Sequence, residues 1–423
     1  MKKFLVASLA ALGALVLAGW VYVGAVRAQR PPTPPPGSPI QYPWGSMHVD
    51  EDQDEVDSEL EETIIDSFEA ESEDEFDEDD DGVREYSILV LSGGGAAGAY
   101  GAGFLTGWTA SGERPEFKIV TGVSTGSLQS TFAFLGSDYD DELTEVFTQY
   151  ATEDIYTKRS LLGALLTESA WDTAPLEALI ERYITAEVLD AVAAEYAKGH
   201  CLFVGTANID TGEFIVWDMG EIASSDRDDR LERYRKVLLA SCSIPVLFPP
   251  VYFSTEIDGE KYYEMHVDGG AQSQLFLRGF MLDFEETLLQ TGLLASCDIS
   301  LYIIRNGHAN EAVHREIVSA SALSIASATI NGVFDLSTES SLFRVYMLAA
   351  RYGIDFNLAV IPDDLFLDLD PVEFDLDVMG RVYEYGYEQA RGGYDWAKIP
   401  PDLAPYERVE PLASLDAAGS KEK

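Results

Sequence analysis

Apolar and polar residues alternate along this chain in three regimes. The first is an uncharged run from Phe4 to Val26, preceded by Lys2 and Lys3 and followed by Arg27 and Arg30. As a helix it would span roughly 34 Å, enough to cross a bilayer. It is longer than the ~7–15 residue core of a cleaved signal, and Trp20 and Tyr22 stand where interfacial aromatics belong. Residues 1–28 are therefore read as a signal peptide or membrane anchor, with an uncleaved anchor favoured. Leu17-Ala18-Gly19 looks like a lipoprotein box, but Trp20 occupies the place of the lipidated cysteine, so lipidation is not predicted. In the second regime, residues 29–84, apolar periodicity disappears: PPTPPP (31–36) is a stiff spacer, and a dense acidic tract follows.

The third regime starts near Tyr86, where short apolar runs alternate with longer amphipathic ones. Strands are predicted at 87–91 (SILVL), 117–121 (FKIVT), 201–206 (CLFVGT), 214–217 (FIVW), 261–267 (KYYEMHV), 300–304 (SLYII) and 356–361 (FNLAVI). Helices are predicted over 98–110, after Ser124, over 230–241 and from about 380 to 396. Continuous apolar strands between helices describe an α/β domain whose mostly parallel sheet is covered on both faces. It occupies residues 85–405, with a tail over 406–423.

Charge narrows the function. The chain carries 28 Lys and Arg against 74 Asp and Glu, a net charge of −46. Residues 50–81 contain 20 acidic and no basic side chains, so this tract is expected to stay a solvated, self-repelling linker. Asp77, Asp79, Asp81 and Gly82 fit the first half of an EF-hand loop, but position twelve is Ile88 rather than Glu, and the match fails. A surface this acidic repels phosphate backbones, which excludes nucleic acid as a partner. Cys201, Cys242 and Cys297 are an odd count without short spacing; they are read as buried small hydrophobes, with no metal site.

Three glycine-containing motifs carry the chemistry. Gly122-Val123-Ser124-Thr125-Gly126 is a G-x-S-x-G, which a chain of this composition produces by chance about 0.2 times. Its position decides the matter: it lies between an apolar strand and a helical stretch, as a nucleophile elbow requires. Ser92-Gly93-Gly94-Gly95-Ala96-Ala97-Gly98 follows the first strand. Gly93, Gly95 and Gly98 satisfy a dinucleotide fingerprint, but no Asp or Glu ends the next strand to bind a ribose. Converging glycine amides could instead form an oxyanion hole. His266-Val267-Asp268-Gly269-Gly270 ends a strand at what would be the functional edge of a parallel sheet, and an ionised Asp268 could take the serine proton directly.

In this order, SGGGAAGAYGAG, GVSTG and DGG resemble the patatin-like phospholipase family. ASCSIPVLFPPV (240–251) and FVGTANIDTGE (203–213) extend the resemblance over roughly Ser87 to Trp396. It implies a three-layer α/β/α fold and a Ser–Asp dyad in place of a Ser–His–Asp triad. Ser124 would be the nucleophile, Asp268 the base, and Gly93, Gly94 and Gly95 the oxyanion hole. The substrate would be a lipid ester or phospholipid, cleaved without metal or cofactor. Many members carry a basic residue in the glycine loop where this chain has Ala97, so the loop is not expected to grip a phosphate head group. Other readings remain: His308 as the base of an α/β-hydrolase triad, a dinucleotide-binding oxidoreductase, and a non-enzymatic tethered envelope protein. His266 shares a strand face with Asp268 and is assigned to packing. The region 137–200 is the place for any lid.

Overall fold

The computed structural model describes residues 12–22, 24, 30–38, 46–49, 58–71, 76, 83–277, 297–309, 318–401 and 403. The failed EF-hand match and the tail over 406–423 lie outside them. In chain order the elements are β1 (Ser46–Val49), α1 (Ser58–Glu69), β2 (Arg84–Leu91), α2 (Gly98–Ser111), β3 (Ile119–Val123) and α3 (Thr125–Leu135). Next come α4 (Asp140–Thr148), α5 (Ala174–Tyr183), α6 (Ala186–Tyr196), β4 (Cys201–Asn208), β5 (Glu213–Asp218) and α7 (Arg230–Ser241). The chain continues through β6 (Val251–Ile257), β7 (Glu260–Asp268), β8 (Cys297–His308), α8 (Ala322–Tyr352), β9 (Asp355–Ile361) and α9 (Leu376–Arg391).

Five parallel strands, in the order β4-β3-β2-β8-β9, form the centre of the sheet. β5 and then β1 extend it with antiparallel partners beyond β4. β7 pairs antiparallel with the far end of β4, and β6 pairs with β7. Side-chain alternation divides the core in two. Leu89, Leu91, Val120, Leu202, Val204 and Ile304 point into the layer of α2, α3, α5, α6, α7 and α9. Ile88, Val90, Ile119, Phe203, Ile303 and Leu358 point to the opposite face, where Leu342, Val345 and Ala349 of α8 cover them. The result is the three-layer α/β/α fold with a mixed, mostly parallel sheet. α2 is buried almost throughout and lies tight against α9: a Cβ at Gly103 would stand 2.0 Å from the Tyr383 carbonyl oxygen.

Part of the segment expected to be a solvated linker is structured. In α1, Ile64 and Phe68 lie one turn apart, face inward and join the core beneath the sheet. Just after α1, Glu71 is ion-paired with Lys118, and both side chains are almost wholly buried. Glu71 also accepts from Arg84 at 2.9 Å and from the Tyr86 hydroxyl at 2.8 Å. The Lys118 ammonium donates to the Ser67 and Gly199 carbonyls at 3.0 and 2.7 Å and stands 4.6 Å from the centre of the Phe68 ring. Acidic composition favours extension only where no buried cation waits for a partner, and here Lys118 does. At the N-terminus, residues 12–22 are helical with exposed Leu15, Leu17 and Trp20. Among the described residues no helix is long and apolar enough to cross a membrane.

Removing one partner of a buried pair strands the other and costs about 3–5 kcal/mol. Glu71→Gln is therefore expected to lower unfolding stability by that order in a urea titration. Adding Lys118→Met should restore most of it; no recovery would mean that α1 is held by its apolar contacts alone.

Candidate active site

The geometry starts from one strand shared by two others. Along one side of β4, opposite β5, Gly205 is in register with Val123 of β3 and the next residue, Thr206, with Asp268 of β7. The residue after Val123 is Ser124, so the hydroxyl and the carboxylate arrive together where the end of β3 meets the end of β7 beside β4. Asp268 does not leave a parallel strand, as its motif suggested, because β7 runs antiparallel to β4. A Cβ at Gly269 would lie 2.6 Å from the Gly205 oxygen and 3.1 Å from Val123 Cγ1, which shows how closely the DGG turn packs against the serine strand.

Ser124 adopts φ 54°, ψ −127° at the N-cap of α3. A non-glycine residue held there is strained, and the surroundings must over-determine it. Its amide donates to Ser241 Oγ at 2.9 Å, and Ser241 Oγ donates on to the Gly205 carbonyl at 2.7 Å. The Asp268 amide donates to the Ser243 carbonyl at 2.8 Å, and the Cys242 thiol donates to the Ser124 carbonyl at 3.3 Å. The end of α7, Ser241-Cys242-Ser243, thus ties the serine and the aspartate together. Gly126 has no room for a side chain: a Cβ would meet the Leu91 oxygen at 2.3 Å and the Ser92 oxygen at 2.6 Å. Gly122 packs as tightly against the backbone of Gly126.

The glycine loop lies against the elbow. Gly95 has φ +55° and its carbonyl accepts from Thr125 Oγ1 at 3.0 Å. Asn306, two residues before the end of β8, donates through Nδ2 to the Ser92 carbonyl and to Gln129 Oε1, both at 2.8 Å, and its amide donates to Ser92 Oγ at 2.8 Å. This clamp fixes the loop's path. Among the described residues no acceptor meets the amides of Gly93, Gly94 or Gly95, while the Ala96 amide is used by the Pro371 carbonyl.

Asp268 is fully buried, and Oδ1 accepts the Gly270 amide at 2.8 Å. Burial raises its pKa to about 7, while the Ser124 hydroxyl and the Gly270 amide favour the charged form and oppose that rise. The Ser124 side chain acts on this carboxylate as a hydrogen-bond partner, and Oδ2 meets no other donor among the described residues. The Cys242 thiol is driven well above its ordinary range by burial and by Asp268. Ser124 itself is 8% exposed and opens into a cavity of about 900 Å³, its mouth included. The lining is almost wholly apolar. It follows one face of α3 through Leu128 and Phe132, with Phe147, Ile180 and Phe248 opposite. The helices of residues 137–200 wall this space, and the hydroxyls of Tyr150 and Tyr183 meet there at 2.7 Å.

The remaining candidates are accounted for differently. His308 ends β8, is buried, and makes a 2.8 Å hydrogen bond to the Leu365 carbonyl through Nε2. It is thus held in the fold. His266 is fully buried between Trp217 and Phe253, with Nδ1 3.0 Å from Thr206 Oγ1. Cys201 and Cys242 are buried and Cys297 is half-buried; all three are free thiols. Sequence reasoning quoted Ser241 and Ser243 only inside a longer motif, and it missed Asn306 and Gln129.

A strand–serine–helix elbow, a buried aspartate at the same level and an apolar cavity stand together on the α/β/α core. The comparisons specify it further. Residues 89–281 match the family described as patatin-like phospholipase. Among solved structures it is similar to VipD from Legionella pneumophila, with 12% identity and a TM-score of 0.34 over 73% of this chain and 66% of that one. Another is the human GIVD cytosolic phospholipase A2, with 12% identity and a TM-score of 0.30 over 84% of this chain and 65% of that one. The chain thus spans just under two thirds of each. No curated protein matches it.

Ser241 makes two buried hydrogen bonds at the heart of the site, and leaving such groups unmade costs about 1–3 kcal/mol. Ser241→Ala is expected to lower stability by that amount in chemical denaturation and to slow labelling of Ser124 by a fluorophosphonate. Unchanged labelling would show that the elbow keeps its geometry without this tie.

Proposed function

We propose that this protein is a serine lipid-acyl hydrolase, a phospholipase A- or lysophospholipase-like carboxylic ester hydrolase working through a Ser124–Asp268 dyad. The reading is carried by the strained serine at the head of an apolar cavity, beside a buried carboxylate on which no cation acts among the described residues. Asp268 takes the Ser124 proton as Oγ attacks the ester carbonyl. The amides of Gly93, Gly94 and Gly95 receive the developing oxyanion, a role in which one donor is typically worth ~10²–10³ in turnover. The acyl chain lies along α3 in the cavity, and water then releases the fatty acid. Burial gives Asp268 a pKa near neutrality, which suits a general base without an imidazole. The N-terminal run around residues 12–22 acts in this proposal as a membrane tether for an exported enzyme, with exposed Trp20 at the interface.

Ser124→Ala should lower ester hydrolysis by more than about 10³-fold and abolish fluorophosphonate labelling. Asp268→Asn should cost about 10²–10⁴-fold. Intact hydrolysis in Asp268→Asn, with loss in His308→Ala, would replace the dyad by a triad. The base acts only when ionised, so kcat/KM should fall about tenfold per pH unit below about 7; a flat profile from pH 5 to 8 would exclude Asp268 as the base.

The same group sets a stability prediction of opposite sense. The folded-state pKa of about 7 lies above the unfolded value, so the folded chain holds this proton more tightly. Stability from this group is complete below about pH 4 and is lost as pH rises to about 7. Asp268→Asn removes the buried charge, so the variant should be the more stable protein at pH 8, by a few kcal/mol in order of magnitude. The gap should shrink as pH falls to 5; a less stable Asn variant at pH 8 would contradict the reading.

A further inference from the structure

An exposed apolar side chain stands on the rim of the cavity. Ile244 and Phe248 both line that space, and the Phe248 amide donates to the Ile244 carbonyl at 2.8 Å to close a turn. Val246 lies inside the turn with φ +70° and is 45% exposed. A β-branched residue at positive φ is an outlier that the surroundings must enforce. They do so from outside the cavity: the Ala170 amide donates to the Val246 carbonyl at 2.9 Å, and the Trp171 amide to the Leu247 carbonyl at 2.8 Å. Four residues before Ala170, Leu166 ends a short helix (Leu161–Leu166) and is also 45% exposed. Ile209, 49% exposed, follows β4 at the end of the sheet where Ser124 stands.

Contacts link all three positions to the place where the N-terminal chain meets the domain. β6 and β7 run on past the end of β4 as a two-stranded hairpin. Beyond β4 the edge of β7 is taken up by three groups. The Ile209 amide donates to the Met265 carbonyl at 3.0 Å, the Met265 amide to the Asp210 carboxylate at 2.9 Å, and the Tyr263 amide to the Pro32 carbonyl at 2.8 Å. Arg30 is ion-paired with the same Asp210. Tyr252, in register with Met265, donates its hydroxyl to Glu168, two residues from Leu166. The start of the proline spacer is thus clamped to the domain beside Ile209. Seven residues separate Arg30 from Tyr22, which keeps the end of the exposed apolar run within roughly 28 Å of the clamp. We propose that Val246, Leu166 and Ile209 form the face by which the domain rests on a lipid surface, with the clamp holding the N-terminal run to that same side. The rim of the cavity then faces the lipid. A chain of net charge −46 has no attraction for anionic head groups, so apolar side chains entering the interface must supply the contact. That the lipid is also the substrate rests on the hydrolase reading above; the contact itself does not.

The test uses the full chain on phosphatidylcholine vesicles whose acyl chains carry a nitroxide. Leu166→Cys and Val246→Cys are labelled with a fluorophore, each with Cys297→Ser so that the remaining native thiols are the buried Cys201 and Cys242. Lys398→Cys, beside the start of β9 at the opposite edge of the sheet, is the comparison. Emission at 166 and 246 should fall by about half or more, and at 398 by less than about a tenth, since interfacial side chains enter only the outer ~5–10 Å of the lipid. Raising salt to about 1 M should leave the quenching unchanged. Quenching at 166 and 246 no greater than at 398, or quenching lost in salt, would overturn the proposal. Leu166→Ser combined with Ile209→Ser should release fatty acid from vesicle phospholipid about tenfold more slowly, with turnover of a short water-soluble nitrophenyl ester within about twofold of wild type; an equal change in both counts against the face. Val246→Gly guards against a folding defect: glycine accepts φ +70° without strain, so its unfolding temperature should not fall while vesicle hydrolysis does. Undiminished vesicle hydrolysis in both variants would also overturn the proposal. The parent reading fails separately. Ser124→Ala should be quenched like wild type, and wild-type protein that is quenched but cleaves no ester would keep the lipid face and end the hydrolase reading.

Discussion

The site depends on the register of one strand against two neighbours that run in opposite directions. β4 pairs parallel with β3 through Gly205 and antiparallel with β7 through Thr206, so consecutive residues of one strand fix the levels of Ser124 and Asp268. A slip of one residue in either pairing would turn the affected side chain to the other face of the sheet. Ser241 and Ser243 reinforce this arrangement from α7, one holding the serine amide and the other the aspartate amide. The strain at Ser124 is thus carried by contacts from β2, β4 and α7, none of which touches the cavity's far end.

Two buried carboxylates show how differently this fold treats negative charge. Glu71, at the end of the sheet where the parallel strands begin, is neutralised by Lys118 and Arg84. It joins an acidic segment to the domain. Asp268, where β3 ends, has a serine hydroxyl and a glycine amide for company, and no cation is among the groups that shift it. A cation beside it would stabilise the carboxylate and weaken it as a base. The first arrangement favours stability. The second gives up stability above neutral pH to keep a group that can accept a proton, the exchange expected where a fold serves chemistry.

Much of the central layer was legible because its strands are buried on both faces and read as unbroken apolar runs, from SILVL to FNLAVI. Both turns that flank Ser124 could be placed because their glycines answer to close backbone contacts, as at Gly126. The second helical layer was not legible. α8 spans Ala322–Tyr352 with serine, threonine and alanine mixed among its apolar residues, and the side that buries Leu342, Val345 and Ala349 does not stand out by period. α1 was hidden by composition: its acidic residues argue for solvation, and only the buried Lys118 on the domain overrides that argument. Antiparallel β7 was read as parallel, since apolar patterning does not encode strand direction. Asn306 and Gln129 stand among other polar residues, in RNGH and SLQST, and such residues acquire meaning only once a loop is seen to rest on them.

The cavity completes the physical picture through what it lacks. Its wall follows Ser124, Thr125, Leu128 and Phe132 down one face of α3, so a chain entering at the serine runs beside the helix for about two turns, roughly 12 Å. Along that path burial of each methylene contributes about 0.8 kcal/mol, whereas a charged group would meet no compensating partner in the lining. In the proposed reaction affinity in this space would therefore reside in the hydrocarbon, with the polar part of an ester kept at the head, beside the glycine loop. That division would let binding energy from a remote, unreactive chain fix the carbonyl against Ser124 in the proposed reaction, which is how an apolar cavity contributes to a polar reaction.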